Sequence, residues 1–227
     1  MNIQLVVFDI AGTTVRDDDA VNRCLREALA AGGVEVSREE VNTVMGLPKP
    51  EAIAALLTAK QPEATPPPAQ RVKALYHEFL HRMIEFYRHD PAVAPMPGAE
   101  ACFARLKRRG LRLALDTGFS RAIVQVILRR LDWDVPGFLD ATVASDEVPR
   151  GRPHPDLIFE AMRRTGVTSP GAVAKVGDTP ADLREGQAAG CGLVIGVTQG
   201  THSRAELAVH PHTHLIDSLA GLPALLA

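Results

Sequence analysis

Cysteine is scarce in this 227-residue chain, and the three present, Cys24, Cys102 and Cys191, show no close spacing. That excludes a disulfide framework and a cysteine zinc site, and it predicts reduced, buried thiols. An excess of positive charge is missing too. The formal net charge is −2, and Lys and Arg are scattered along helical stretches such as Arg105 to Arg109, so a nucleic-acid partner is not expected. No apolar run approaches the roughly 20 residues that span a bilayer, which argues against a membrane partner. The first strand-like run begins within a few residues of the start and leaves no room for a signal peptide. We therefore expect a soluble, cytoplasmic protein. Neither the glycine fingerprint of dinucleotide-binding folds nor a Walker A sequence occurs, and there is no internal repeat.

With 46% hydrophobic residues the chain can bury one substantial core and a smaller appended unit. Between about Ala20 and Tyr87 only helical spacing is visible: Val21, Leu25, Ala28 and Leu29, then Ala52, Ala55, Leu56 and Leu57. Gly32-Gly33 ends the first of these helices. Ser37 is placed to cap the next, with Glu40 as its capping-box partner. Pro66-Pro67-Pro68 enforces a loop over 61–70, followed by a longer helix from about Arg71 to Tyr87. Past Pro95-Met96-Pro97-Gly98 helices and strands alternate with short connections: helices near Ala99–Arg109, Arg121–Leu131, Asp156–Thr165 and Asp182–Ala189, and strands near 111–115, 141–144, 172–177, 192–197 and 214–216. Such alternation predicts an α/β fold, a Rossmann-like, mostly parallel sheet built from right-handed βαβ units. The expected division is a core of residues 1–16 and 91–227, with a helical cap, residues 17–90, inserted after the first strand. Periodicity leaves open whether exposed apolar cap residues meet a second copy in a homodimer.

Polar residues collect where strands should end. Gln4-Leu5-Val6-Val7-Phe8 runs into Asp9, then Ile10-Ala11-Gly12-Thr13-Thr14; Asp116-Thr117-Gly118 follows another strand; Arg150-Gly151-Arg152 comes next; Asp178 and Asp182 follow the last apolar run before Pro180. α/β sheets keep their chemistry at these carboxyl edges. Carboxylates from distant strand ends suit Mg²⁺, which takes a few carboxylates plus water and substrate oxygens, and Mg²⁺ would neutralise a phosphoryl group before an anionic nucleophile attacks it. Core packing does not call for this set of polar strand ends. Asp182 also admits the lesser reading of a helix-start carboxylate favoured by the helix dipole. The alternating His210, His212 and His214 are interrupted by Pro211 and read as an exposed loop; His77 and His81 read as surface residues, and Cys24 as a core thiol.

Taken in order, the four clusters resemble the motifs of the haloacid dehalogenase (HAD) superfamily of aspartate-nucleophile hydrolases, and the resemblance covers the whole chain. It implies Asp9 as nucleophile, and Asp9, Asp178 and the main-chain carbonyl of Ala11 as Mg²⁺ ligands with Asp182 behind them, orienting a metal-bound water. It also implies that Thr117, Gly118 and Arg152 bind the phosphoryl group, with Arg152 free to pair with Asp9 instead.

Position 11 narrows the reading. Most phosphatases of the superfamily carry a second Asp there to protonate the leaving oxygen; Ala11 cannot, forfeiting a factor of roughly 10²–10⁴ for an ester. The chain resembles the phosphonatase-like branch (phosphonoacetaldehyde hydrolases) in this alanine, in Arg152 of Gly151-Arg152-Pro153-His154-Pro155, and in Lys49 of Met45-Gly46-Leu47-Pro48-Lys49, the cap-loop lysine that forms a Schiff base in that branch. Gly46 lies on the same loop as an expected substrate contact. An iminium on Lys49 would accept the electrons of a departing carbon, so no acid at position 11 is needed, provided burial or Arg152 favours the neutral amine. One difference stands out: Lys49-Pro50-Glu51-Ala52 lacks the histidine that phosphonatases carry three residues on. The expectation is a Mg²⁺-dependent hydrolase of a small phosphonate or phosphate compound. The alternatives are a phosphomonoesterase and a non-catalytic protein that binds a phosphorylated metabolite. A dehalogenase would not need Asp178 and Asp182.

Overall fold

The computed structural model describes residues 2–64 and 66–226; Met1 and Ala227 of the expected core and Thr65 of the expected 61–70 loop lie outside the described residues. In chain order the elements are β1 (Leu5–Phe8), α1 (Ala20–Ala31), α2 (Arg38–Asn42), α3 (Lys49–Lys60), α4 (Ala69–His89), α5 (Ala99–Arg108), β2 (Arg112–Thr117), α6 (Arg121–Arg130), β3 (Ala141–Ala144), α7 (Asp156–Thr165), β4 (Val173–Gly177), α8 (Pro180–Ala189), β5 (Leu193–Val197), α9 (Arg204–Ala208), β6 (His214–Ile216) and α10 (Leu222–Leu225). The six strands form one sheet in the order β3-β2-β1-β4-β5-β6, and every pairing is parallel. Strand order reverses between β1 and β4, where open α/β sheets leave a crevice at the carboxyl edge.

Both faces of the sheet are covered, so apart from Asp116 and Thr117 in β2 and Lys175 in β4 the buried positions of its central strands are apolar without alternation. Val6 and Phe8 face the larger core with Leu113, Leu115, Val176 and Phe103, while Leu5 and Val7 face a second core with Val143, Leu157 and Ile158. Phe103 stacks edge-on to Phe8 at 5.1 Å and to Trp133 at 5.5 Å, pinning α5 to the sheet. Each such fully buried side chain contributes about 1.5–3 kcal/mol.

The helical insertion consists of α1 to α4. Its outgoing and returning segments run side by side: the Arg16 amide donates to the Ala94 carbonyl at 3.0 Å and the Met96 amide to the Thr14 carbonyl at 2.8 Å. Ser37 and Glu40 form the expected capping box on α2. The long helix α4 begins two residues earlier and ends two later than its periodicity suggests, because Pro68 tolerates the preceding position where no amide is required. α4 also packs against α6 of the sheet unit, with Tyr87 edge-on to Phe119 at 6.0 Å.

Two further expectations need correction. Helix α8 starts at Pro180, not Asp182, because the Thr179 hydroxyl accepts the Asp182 amide and caps the helix ahead of it. Cys24 and Cys102 are buried, but Cys191 is only partly so. His77, His81, His212 and His214 are exposed and His210 half-buried, and none joins a metal-competent group among the described residues. Among those residues no helix is long and apolar enough to cross a membrane.

Candidate active site

Because β1 and β4 are parallel neighbours in register, with Phe8 beside Val176, their tips deliver Asp9 and Asp178 to the same place. Asp9 donates its amide to the Val176 carbonyl at 2.9 Å, extending the ladder one step beyond the strand. The chain then turns sharply: the Thr14 hydroxyl donates to the Asp9 carbonyl at 2.9 Å, and Gly12 takes φ +83°. Only glycine fits there, since a Cβ at position 12 would lie 2.4 Å from Asp178 Oδ2. Asp178 is held from two sides, by the Thr13 hydroxyl at 2.9 Å on Oδ1 and the Thr201 amide at 2.6 Å on Oδ2.

Asp9, Asp178 and Asp182, all buried, each offer a carboxylate oxygen within 4.8 Å of the others. Three oxygen ligands so gathered, in a cradle that a Cβ at Gly12 or Gly200 would fill, fit a hard divalent cation. Electrostatics agree. Burial pushes the Asp9 carboxyl up to about 7, with Asp182 and Asp178 adding to the rise and Arg152 opposing it. Burial likewise raises Asp178 to about 7, with Asp182 as the next cause. Asp182 differs: Arg152 and Lys175 overcome the effect of burial and hold it below the usual carboxylate range. Its Oδ2 accepts the Thr179 hydroxyl at 2.6 Å and the Thr179 amide at 3.2 Å, while Oδ1 lies 3.0 Å from Arg152 Nη1 and 3.2 Å from Lys175 Nζ. Asp182 thus sits in the first turn of α8 with one oxygen on the helix cap and the other facing Arg152 and Lys175.

Asp9, Ala11, Gly46, Lys49, Thr117, Gly118 and Arg152 all line one small cavity of about 20 Å³, enough for about one water. Arg152 takes the Asp9 option, its Nη1 donating to Asp9 Oδ1 at 2.6 Å. The Thr117 hydroxyl oxygen accepts the Phe119 amide at 3.2 Å, which shapes the turn into α6. The insertion supplies the cavity's roof. Lys49, only 3% exposed, donates to the Leu47 carbonyl at 3.1 Å and lies 5.4 Å from the centre of the Phe119 ring. Burial lowers its ammonium to about 8, with Asp9 opposing that shift and Arg152 adding to it. The roof is seated closely on the sheet unit. A Cβ on Gly118 would come within 2.5 Å of the Leu47 carbonyl oxygen, and one on Gly46 within 2.4 Å of the Thr179 hydroxyl.

Several polar residues of the site were given no role by sequence reasoning. Asp116, noted only as part of a strand-end cluster, lies with Lys175 and Glu185 fully buried beneath Arg152. Lys175 Nζ lies 2.9 Å from Glu185 Oε2 and pairs with Asp116, and Arg152 Nε donates to Glu185 Oε2 at 2.9 Å. The available signal was a lysine inside the apolar run of a central strand, where a charge persists only if partnered. Glu185, three residues after Asp182 on the same helix face, was legible only once that lysine had been noticed. Asp17, in the outgoing connection, was also missed; it accepts the Val21 amide at 3.0 Å, and burial raises it to about 6.

Residues 3–190 match the family model described as haloacid dehalogenase-like hydrolase. Proteins named phosphonoacetaldehyde hydrolase are similar to this chain: one from Bordetella pertussis is 30% identical over 100% of this chain and 92% of its own length. Another, from Bacillus cereus, is 30% identical over 88% of this chain and 78% of its own. Among solved structures, a phosphonoacetaldehyde hydrolase-like protein from Oleispira antarctica superposes with a TM-score of 0.85 at 22% identity, covering 100% of this chain and 92% of that one. A predicted phosphoglycolate phosphatase from Haemophilus somnus gives 0.82 at 20% identity, covering 100% and 99%. The motifs at the strand tips, the sheet that assembles them and the family match agree, and the chain belongs to the haloacid dehalogenase-like hydrolases.

Proposed function

We propose that this hydrolase is a Mg²⁺-dependent, cytoplasmic enzyme of the phosphonatase-like type, cleaving a small phosphonate that carries an aldehyde, such as phosphonoacetaldehyde. The observation that carries this reading is the pairing of Lys49 with Ala11 around one cavity. An amine desolvated to about 8 overhangs Asp9, while the position that would donate a proton to a leaving oxygen holds a methyl group. The relatives named phosphonoacetaldehyde hydrolase support it, and the free thiols suit a reducing compartment.

In this reading the helical insertion, residues 17–90, is a cap. Substrate enters with the cap displaced, since 20 Å³ does not admit a phosphoryl group. The neutral Lys49 amine adds to the aldehyde and loses water, giving an iminium. Asp9 attacks phosphorus, the P–C bond breaks, and its electron pair passes into the iminium to form an enamine. Water then hydrolyses the aspartyl phosphate, releasing phosphate and restoring Asp9, while protonation and hydrolysis of the enamine release the aldehyde and free Lys49. Asp9, Asp178 and the Ala11 carbonyl, with Asp182 behind them, would hold Mg²⁺, which supplies charge neutralisation between carboxylate and phosphoryl oxygens. Gly46, Thr117 and Gly118 line the space for the bound group.

A second reading, a phosphomonoesterase acting on a small phosphorylated metabolite, is favoured by one feature. The position three residues after Lys49 is a buried alanine, so no imidazole stands there to assist imine formation. Borohydride reduction in the presence of phosphonoacetaldehyde separates the two. The phosphonatase reading expects a covalent two-carbon adduct on the Lys49 peptide by mass spectrometry; absence of an adduct, with phosphate released from phosphate esters, selects the phosphomonoesterase.

A further inference from the structure

The cluster beneath Arg152 contains a second group of metal-competent carboxylates, Asp116, Asp182 and Glu185, each with one oxygen that accepts no hydrogen bond. Its centre is already taken by a cation of the chain: Lys175 Nζ lies 2.9 Å from Glu185 Oε2 and 3.2 Å from Asp182 Oδ1, and pairs with Asp116. A buried ammonium surrounded by three buried carboxylates is expensive to assemble unless its geometry serves something. What it serves is visible in the guanidinium. Arg152 Nε donates to Glu185 Oε2 at 2.9 Å, Nη2 donates to the Asp116 carbonyl at 3.0 Å and pairs with the Asp116 carboxylate, and Nη1 points at Asp9 Oδ1, 2.6 Å away, with Asp182 Oδ1 3.0 Å to its side.

We propose that Glu185, Asp116 and Lys175 are positioning residues that lock the plane of the Arg152 guanidinium so that Nη1 stays aimed at the Asp9 carboxylate. A planar fork with three differently directed donors can be fixed by three partners; an ammonium at the same place cannot. Lys175 ties together the three carboxylates, which would otherwise repel one another and release the fork. Held this way, Nη1 does not follow Asp9 when that carboxylate becomes phosphorylated. It remains a pre-aligned donor for an oxygen of the transferred group. The arrangement explains why Arg152 occurs together with a glutamate at position 185 and a lysine within strand β4.

This inference rests on Asp9 as phosphoryl acceptor but not on the leaving group, so it is tested with beryllium fluoride and Mg²⁺, which mimic an aspartyl phosphate. Calorimetric dissociation constants are measured for the unaltered protein and for Glu185→Met and Glu185→Gln, each also combined with Arg152→Lys, with thermal unfolding recorded for all. Glu185→Met should weaken uptake by roughly 10–100-fold, the usual effect of removing a partner behind a reactive ligand. Glu185→Gln, whose carbonyl oxygen can still accept from Nε, should recover most of that loss. In the Arg152→Lys background both changes should be without further effect, because a lysine has no Nε to hold. Equal losses in the two backgrounds, or equal losses for Met and Gln, would assign Glu185 to folding alone and overturn the proposal. If the unaltered protein takes up no beryllium fluoride while folded, the Asp9 reading itself is wrong and this inference falls with it.

Discussion

The cavity has a floor and a roof, and they are built on opposite principles. On the floor, Asp9, Asp116, Asp178, Asp182, Glu185, Arg152 and Lys175 are tied by multiple short contacts across three parallel strands and the start of α8. The roof offers one functional group, the Lys49 ammonium, held by a single backbone carbonyl and an aromatic face. Redundant partners make the floor's geometry insensitive to small movements, as a step common to many substrates requires. Desolvation is the chief influence on the roof, so any shift of its loop changes its chemistry. A family that keeps one reaction centre and varies its substrates can do so by altering the roof.

Experiments can press on this contrast. The largest effect is expected from Asp9→Asn, which removes the proposed nucleophile and should lower phosphate release by at least about 10⁴-fold in a folded protein; appreciable residual turnover would mean the floor is not the reaction centre. Next, Lys175→Met should destabilise the chain by about 3–5 kcal/mol in urea unfolding, because it strands buried carboxylates without their cation. A neutral result would show that the floor is not held together by its charges.

Roof variants should behave differently. Gly118→Ala drives a methyl group against the Leu47 carbonyl oxygen, lifting the loop that carries Lys49. Borohydride trapping should fall by roughly 10²-fold, the scale of an ångström misplacement, with little change in unfolding midpoint. A milder probe is pH. In the proposed imine chemistry Lys49 would react only as the neutral amine, and burial lowers its ammonium from 10.5 to about 8. Below pH 8 each unit down should therefore cost about tenfold in trapping rate, and above it the rate should level off; a rise continuing to pH 10 would mean the roof is wet. The smallest effect is Mg²⁺ itself, which should raise the thermal midpoint by a few degrees through linkage. Asp178→Asn should erase that shift, and Lys49→Met should leave it intact.

How legible these two halves were in the sequence follows from the same physics. Residues at strand ends, such as Asp9, Thr117 and Asp178, announce themselves because their polarity breaks a hydrophobic pattern at a boundary, whereas Lys49 stood out through the family resemblance. Asp116, Lys175 and Glu185 lie inside regular elements, where a single polar residue is easily absorbed into the surrounding apolar run. Helix α8 was misplaced by two residues because Asp182 looked like its start, whereas Thr179 supplies the cap.

From residue order alone came the parallel α/β alternation, the helical block after the first strand and the cluster of strand-end carboxylates, while the missing acid at position 11 came with the family resemblance. Those are local properties, written in periodicity and in chemistry at element ends. Tertiary structure alone decided that β1 and β4 are neighbours, that the Lys49 loop is seated on Gly118 and Thr179, and that Arg152 is backed by a buried lysine and two further carboxylates. These depend on contacts between residues far apart in the chain, where packing and desolvation set distances and pKa values that no single stretch of sequence contains.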